Sequence, residues 1–167
     1  RLRSARDRRG FLGSGRYVRR GGLRCHPSRD TAWAMSQENV EIVRRFLEQA
    51  RESPDFVWDI FGEEVEWETA ALSIPDFPAT VRGPDGVREF FRRWVGTFES
   101  WGYEMEELID APDAVVVHIH QWGRGKGSGA VVDGRFWMVW VMRDGKAVRV
   151  THLTEKADAL EAAGLRE

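Results

Sequence analysis

Residues 131–154 read VVDGRFWMVWVMRDGKAVRVTHLT, and this stretch decides the fold. Two runs rich in β-branched and aromatic residues, Val131–Arg143 and Lys146–Thr154, are separated by Asp144-Gly145 alone. An Asp-Gly pair between such runs marks a tight antiparallel hairpin, because both residues accept the left-handed backbone that the turn requires. Pairing starts with Arg143 opposite Lys146. In a plain register Val141 then faces Val148, Val139 faces Val150 and Trp137 faces His152, all on one side of the sheet. The other side carries Trp140 with Arg149 and Met138 with Thr151. The aliphatic set suits a face covered by helices; the set containing Arg149 suits an outer face.

Upstream, Val115–Trp122 and Tyr103–Ile109 read as two more strands, turned by Ala111-Pro112-Asp113. Val115, Val117 and Ile119 then point inward and His118 and His120 outward, provided that Gly134 marks a bulge. The glycine-rich run GRGKGSG at 123–129 has neither the strand–loop–helix setting nor the closing Lys-Ser/Thr pair of a phosphate loop, and reads as a hairpin connection. Earlier still, Gly83-Pro84 opens a helix whose apolar residues Val87, Phe90, Phe91, Trp94, Val95 and Phe98 recur at spacings of three and one. Residues 69–82 read as a loop, and Val65-Glu66-Trp67-Glu68 as a half-buried strand. A first helix is expected from Ser36, a good N-cap, with Val40, Val43, Leu47 and Ala50 as its stripe. Ser53-Pro54 ends it and opens a short second helix that buries Phe56, Val57, Ile60 and Phe61 and stops at Gly62. A terminal helix spans Glu155 to Ala163, closed by Gly164. Helices first and an antiparallel meander afterwards predict an α+β domain with helices gathered on one face of the sheet.

Composition limits the function classes. The chain has 167 residues, enough for one domain with a real core. Its eight tryptophans need burial or a flat ligand. No apolar run approaches the roughly 18 residues of a membrane span, and the single cysteine, Cys25, excludes an internal disulfide. Both features suit a cytoplasmic protein without membrane partners.

Charge is unevenly spread. Residues 1–34 carry ten arginines against two aspartates, whereas residues 35–167 carry 15 basic and 25 acidic residues. All-arginine basicity with no periodicity makes residues 1–34 a disordered leader, read as lying upstream of a true start at Met35. The acidic body, 35–167, opposes phosphate, so nucleic acid is not an expected partner.

The phrases ENVEIVRRFLEQA (38–50), EEVEWE (63–68), RGPDGVREFFRRW (82–94) and RDGKAVRVTHLTEKADALEAAGL (143–165), in this order, resemble the nuclear transport factor 2 superfamily and its SnoaL-like branch. The resemblance spans about residues 36–165. It implies a cystatin-like, cone-shaped fold: a curved antiparallel (mixed) sheet with three helices on its concave face, often dimeric through the open sheet. Members include ketosteroid isomerases, polyketide cyclases and epoxide hydrolases, which implies a small hydrophobic or polyketide-like ligand, no cofactor and a homodimer. The ligand is then gripped by the helix-covered face. The expected pocket is Trp67, Trp137, Val139, Val150 and His152, with Trp58, Phe91 and Trp94 from the helices.

Matching the superfamily's isomerases onto this chain puts the base at or beside Trp67 and the acid at Trp137. Indoles neither take nor give protons at neutral pH, so isomerase chemistry is disfavoured. The Tyr-x-Asp phrase common at the last strand of relatives is replaced by Leu153-Thr154-Glu155. His152 remains as the candidate catalytic group, a general base in an apolar setting or a structural hydrogen-bonding group. His118 and His120 have chelating spacing but no third ligand evident in the sequence, so no metal is expected. Glu66 and Glu68 alternate with core residues and are read as solvent-facing. A binder without turnover, or a structural dimer whose tryptophans fill the pocket, are the competing functions.

Overall fold

A computed structural model describes residues 29–53 and 58–165. The elements run α1 (Arg29–Glu52), β1 (Phe61–Glu68), β2 (Thr80–Arg82), α2 (Gly83–Gly96), β3 (Phe98–Ala111), β4 (Ala114–Gly125), β5 (Val131–Arg143), β6 (Lys146–Leu153) and α3 (Lys156–Ala162). One six-stranded sheet has the order β2-β1-β6-β5-β4-β3. All neighbours are antiparallel except β1 and β6, which run parallel. The expected α+β class with a curved, mixed sheet is therefore what forms.

Local boundaries differ in instructive ways. α1 begins at Arg29 rather than Ser36, whose hydroxyl is not a cap but donates to the carboxylate of Asp110 on β3. The expected leader thus falls mostly on residues 1–28, outside the described residues, while 29–34 belong to α1. Of the short second helix, residues 54–57 lie outside the described residues; Asp59 and Ile60 form a turn and Phe61 and Gly62 open β1. Pairing to β6 overrides helical spacing there, since Phe61 sits opposite Ala147. The loop 69–82 ends in β2, which pairs Val81 with Trp67. Of the 123–129 run, residues 123–125 end β4 and only 126–129 belong to the hairpin connection to β5, closed by Gly125 and Ala130.

α1 and α2 cover one face. Their apolar stripes meet Val65, Trp67, Val115, Val117, Met138, Trp140 and Val150 in the main core. α3 departs from the expected arrangement: its Ala159 is fully buried on the opposite face, against Val116, Trp137 and Val139. A short helix with one apolar side follows β6 directly, so it caps whichever exposed aliphatic patch lies beside the last strand.

The hairpin register carries the main correction. Asp144 and Gly145 have φ of 50° and 71°, and Arg143 pairs with Lys146 as expected. Met142 then pairs with Ala147, but Val141 pairs with Arg149, so Val148 is an extra residue in β6. Such a bulge moves every later partner by one. Trp140 faces Val150, Met138 faces His152, and Trp137 faces Leu153. Val150 and His152 stay inside, as expected. Trp137 and Val139 do not: both lie on the outer face beneath α3, and Met138 and Trp140 take the inner positions. The physical reason is aromatic packing rather than charge. Arg149 faces outward in both registers, to Glu66 at 3.3 Å. What the bulge adds is the reversal of β5, which buries the Trp140 indole among Phe46, Phe61 and Trp67 on the covered face. The bulge lies at Val148, not at Gly134, whose neighbourhood pairs regularly as Gln121 with Gly134.

Candidate functional site

The helix-covered face does not close completely. Between α1, α2 and the sheet lies a cavity of about 280 Å³. Phe46 and Leu47 of α1 and Phe90, Phe91 and Trp94 of α2 form its roof. The sheet supplies Trp67, Tyr103, Ile119, Phe136, Met138 and His152. Trp58 closes one side, packed edge-on against Phe46 and Phe91 with centroids 6.0 and 5.7 Å apart. Rings meeting mostly edge-to-face explain why so many aromatics leave a space: they hold their angles rather than collapsing flat.

Of the residues named from the sequence, Trp58, Trp67, Phe91, Trp94 and His152 line this cavity. Val150 is fully buried on the same face but beneath the wall, opposite Trp67 and Trp140. Trp137 stacks on His118 on the other face, with centroids 4.3 Å apart, and Val139 packs there with Ala159. Reading from the sequence missed Trp101, Tyr103, Gln121, Phe136 and Met138. Gln121 was within reach of the parity argument, because it lies two residues beyond Ile119 on a strand whose inner face was correctly assigned.

His152 is 5% exposed. Its Nδ1 lies 2.8 Å from the carbonyl of Glu68 on β1, which can only accept, so Nδ1 carries the proton. Burial drives the imidazole pKa down to about 4, against a smaller upward pull from the Glu68 carbonyl. At neutral pH the ring is neutral with Nε2 as an acceptor. Trp67 and Phe136 flank it at 4.8 and 5.5 Å. Other polar groups on the wall are few. The Tyr103 hydroxyl donates to the carbonyl of Leu47, and Thr69 Oγ1 donates to that of Pro78 at 3.3 Å. Trp94 Nε1 donates to Gln121 Oε1 at 3.2 Å. None of the described residues lining the cavity is Asp or Glu, and Arg135, at its border, turns its Nε to Glu106 on the outer face at 3.0 Å.

The outer face is built of ions instead. Glu66 pairs with Arg82 and Arg149, and Glu68 accepts from Thr151 at 2.9 Å. Both glutamates thus face outward as read, but paired. The third ligand missing from the sequence view of His120 is supplied by tertiary contact: Glu104, Glu106 and His120 bring ligand atoms within 4.8 Å of one another. Each already has a partner, Glu106 in Arg135 and His118, His120 in Asp133 and Glu104.

The comparisons with known proteins agree with this geometry. The SnoaL-like domain model matches residues 38–150, and the chain belongs to that family, within the nuclear transport factor 2-like superfamily. No curated protein matches the chain. Among solved structures, it is similar to TerC co-crystallised with polyporic acid, at 22% identity and a TM-score of 0.61, covering 76% of this chain and 98% of that one. It also resembles a hypothetical protein with a ketosteroid isomerase-like fold from Catenulispora acidiphila in complex with trimethylamine (17%, TM-score 0.58, 75% and 94% covered). A third is an epoxide hydrolase of the LEH-like kind from M. tuberculosis (17%, TM-score 0.57, 77% and 91% covered). At these identities the likeness is one of fold. Among the described residues no helix is long and apolar enough to cross a membrane.

Proposed function

We propose that this domain binds a small hydrophobic, polyketide-like molecule in the aromatic cavity without a cofactor, with Nε2 of His152 as its polar contact. One observation carries the reading: a buried histidine whose Nδ1 is held by a backbone carbonyl presents its other nitrogen, unprotonated, at the wall of an otherwise apolar cavity. Relatives in fold crystallised with polyporic acid, or named as epoxide hydrolase, support a small organic ligand in this position. In a transforming protein His152 would be the proton acceptor among the described lining residues. A second reading, binding without turnover, is favoured by the lack of any carboxylate among the described lining residues, which leaves His152 without an acid partner.

The deciding experiment follows intrinsic tryptophan fluorescence while a panel of hydrophobic and polycyclic ligands is added. A saturable change at micromolar ligand is expected, since Trp58, Trp67, Trp94 and Trp101 line the space. No response across the panel would sink the binding reading. Turnover assays with any ligand found then separate the two forms: His152→Ala abolishes the rate if His152 moves a proton, and there is no rate to lose if the protein only binds.

A further inference from the structure

The hydrogen-bonding capacity left open on the cavity wall defines its ligand more narrowly. This step rests on the binding reading above. Indole nitrogen can only donate, so the contact from Trp94 Nε1 fixes the oxygen of Gln121 toward Trp94. The amide NH2 of Gln121 must then point the other way, and it has no partner among the described residues. Trp67, 7% exposed, has its Nε1 buried without a partner, and so has Trp101. Buried donors left unmatched are uncommon and costly, about 1–3 kcal/mol each. On the accepting side, Nε2 of His152 is free. Besides these buried nitrogens, among the described residues the wall offers one acceptor, His152 Nε2, and one donor, the Gln121 amide, while Arg135 at its border is already paired with Glu106.

His152 on β6 pairs with Met138 and Gln121 on β4 with Gly134, so their backbones stand four residues apart along β5 and two strand spacings apart across it, roughly 16 Å in all. Gly134 lines the space between them, and a Cβ built on it would touch nothing within 4 Å. The absence of a side chain there keeps the cavity open toward Gln121.

We propose that the cavity selects an uncharged aromatic molecule with a hydroxyl group at one end and a carbonyl group at the other. The hydroxyl donates to His152 Nε2, and the carbonyl oxygen accepts from the Gln121 amide. Carboxylates are rejected, because an anion in this space would lose its hydration without gaining a cationic partner. Gln121 is then a specificity-determining residue.

The test is calorimetric titration of the full chain at pH 7 with four two-ring probes: naphthalene, 2-naphthol, 6-hydroxy-2-acetonaphthone and 6-hydroxy-2-naphthoic acid. Naphthalene is expected to bind weakly, 2-naphthol more tightly, and the hydroxy-ketone at least tenfold more tightly than naphthalene; the acid should fall at least tenfold below the ketone. Gln121→Leu should remove the gain from ketone over naphthol and keep the gain from naphthol over naphthalene. Should Gln121→Leu not fold, the four wild-type affinities decide alone. Equal affinities for all four probes would overturn the selection while leaving the binding reading intact. Failure of every probe, naphthalene included, would remove both.

Discussion

The two faces of one sheet treat histidine in opposite ways. On the covered face His152 is buried among Trp67 and Phe136, and desolvation lowers its pKa to about 4. On the outer face, hydrogen bonds donated to Asp133 and Glu104 raise the pKa of His120. The sheet is the same, and successive residues along each of its strands alternate between the two environments. Location on a face, rather than residue type, sets whether an imidazole's pKa is lowered by burial or raised by neighbouring carboxylates. A sheet can therefore hold a dry, uncharged cavity within one strand thickness of an ion network.

The sharpest way to break this contrast is to remove the aromatic mass of the covered face. Trp140 is fully buried, packed against Phe46, Phe61 and Trp67. Trp140→Ala should cost about 3–5 kcal/mol, read from chemical denaturation. A milder loss would mean that the core relaxes around the gap.

Acid titration comes next. Above about pH 6.5 both folded and unfolded His152 are neutral, and the group contributes nothing to the pH dependence. Below that value the unfolded chain takes up a proton that the folded chain refuses until its own pKa near 4. Stability should therefore fall between those limits, by up to about 3 kcal/mol from this group. His152→Phe should flatten that acid limb; an unchanged limb would show that other groups cause it.

Smaller effects belong to the outer face. Trp122, 41% exposed, lies beside His120, and Trp122→Ala is expected to change unfolding free energy by about 1 kcal/mol or less. The last effect is opposite in sign to that of His152. His120 has a raised folded pKa, so its stabilisation is complete below the unfolded value and fades as pH rises through the folded one. His120→Gln should remove this slight decline near and above neutral pH, visible in melting temperatures across a pH series. A decline that persists in the variant would assign it to a different group.

Much of the architecture was legible in the chain. The Asp144-Gly145 turn, the stripe of α2 and the inward set Val115, Val117 and Ile119 follow from periodicity and turn chemistry, which depend on near neighbours. Trp58, Trp67, Phe91, Trp94 and His152, expected at the pocket from the facing argument and the family resemblance together, line the cavity. Trp137 and Val139 were misplaced, because a period of two has no memory: a single extra residue at Val148 reverses every facing beyond it. That bulge places Trp140 against Phe46 of α1 and Phe61 and Trp67 of β1, elements far away in sequence. The same holds for Ser36, a cap by sequence and a partner of Asp110 in space.

By itself, then, the sequence determined most of the helices and strands, though not the start of β1 or β2, as well as where the hairpin turns and that an aromatic face must be covered. Those outcomes rest on local conformational preference and on apolar periodicity. Only the tertiary structure decided which tryptophans meet across the cavity, that the tautomer of His152 is set by the carbonyl of Glu68, and that Trp94 turns the amide of Gln121. Hydrogen-bond direction and exclusion of water arise between strands and helices distant in the chain, and no local pattern encodes them.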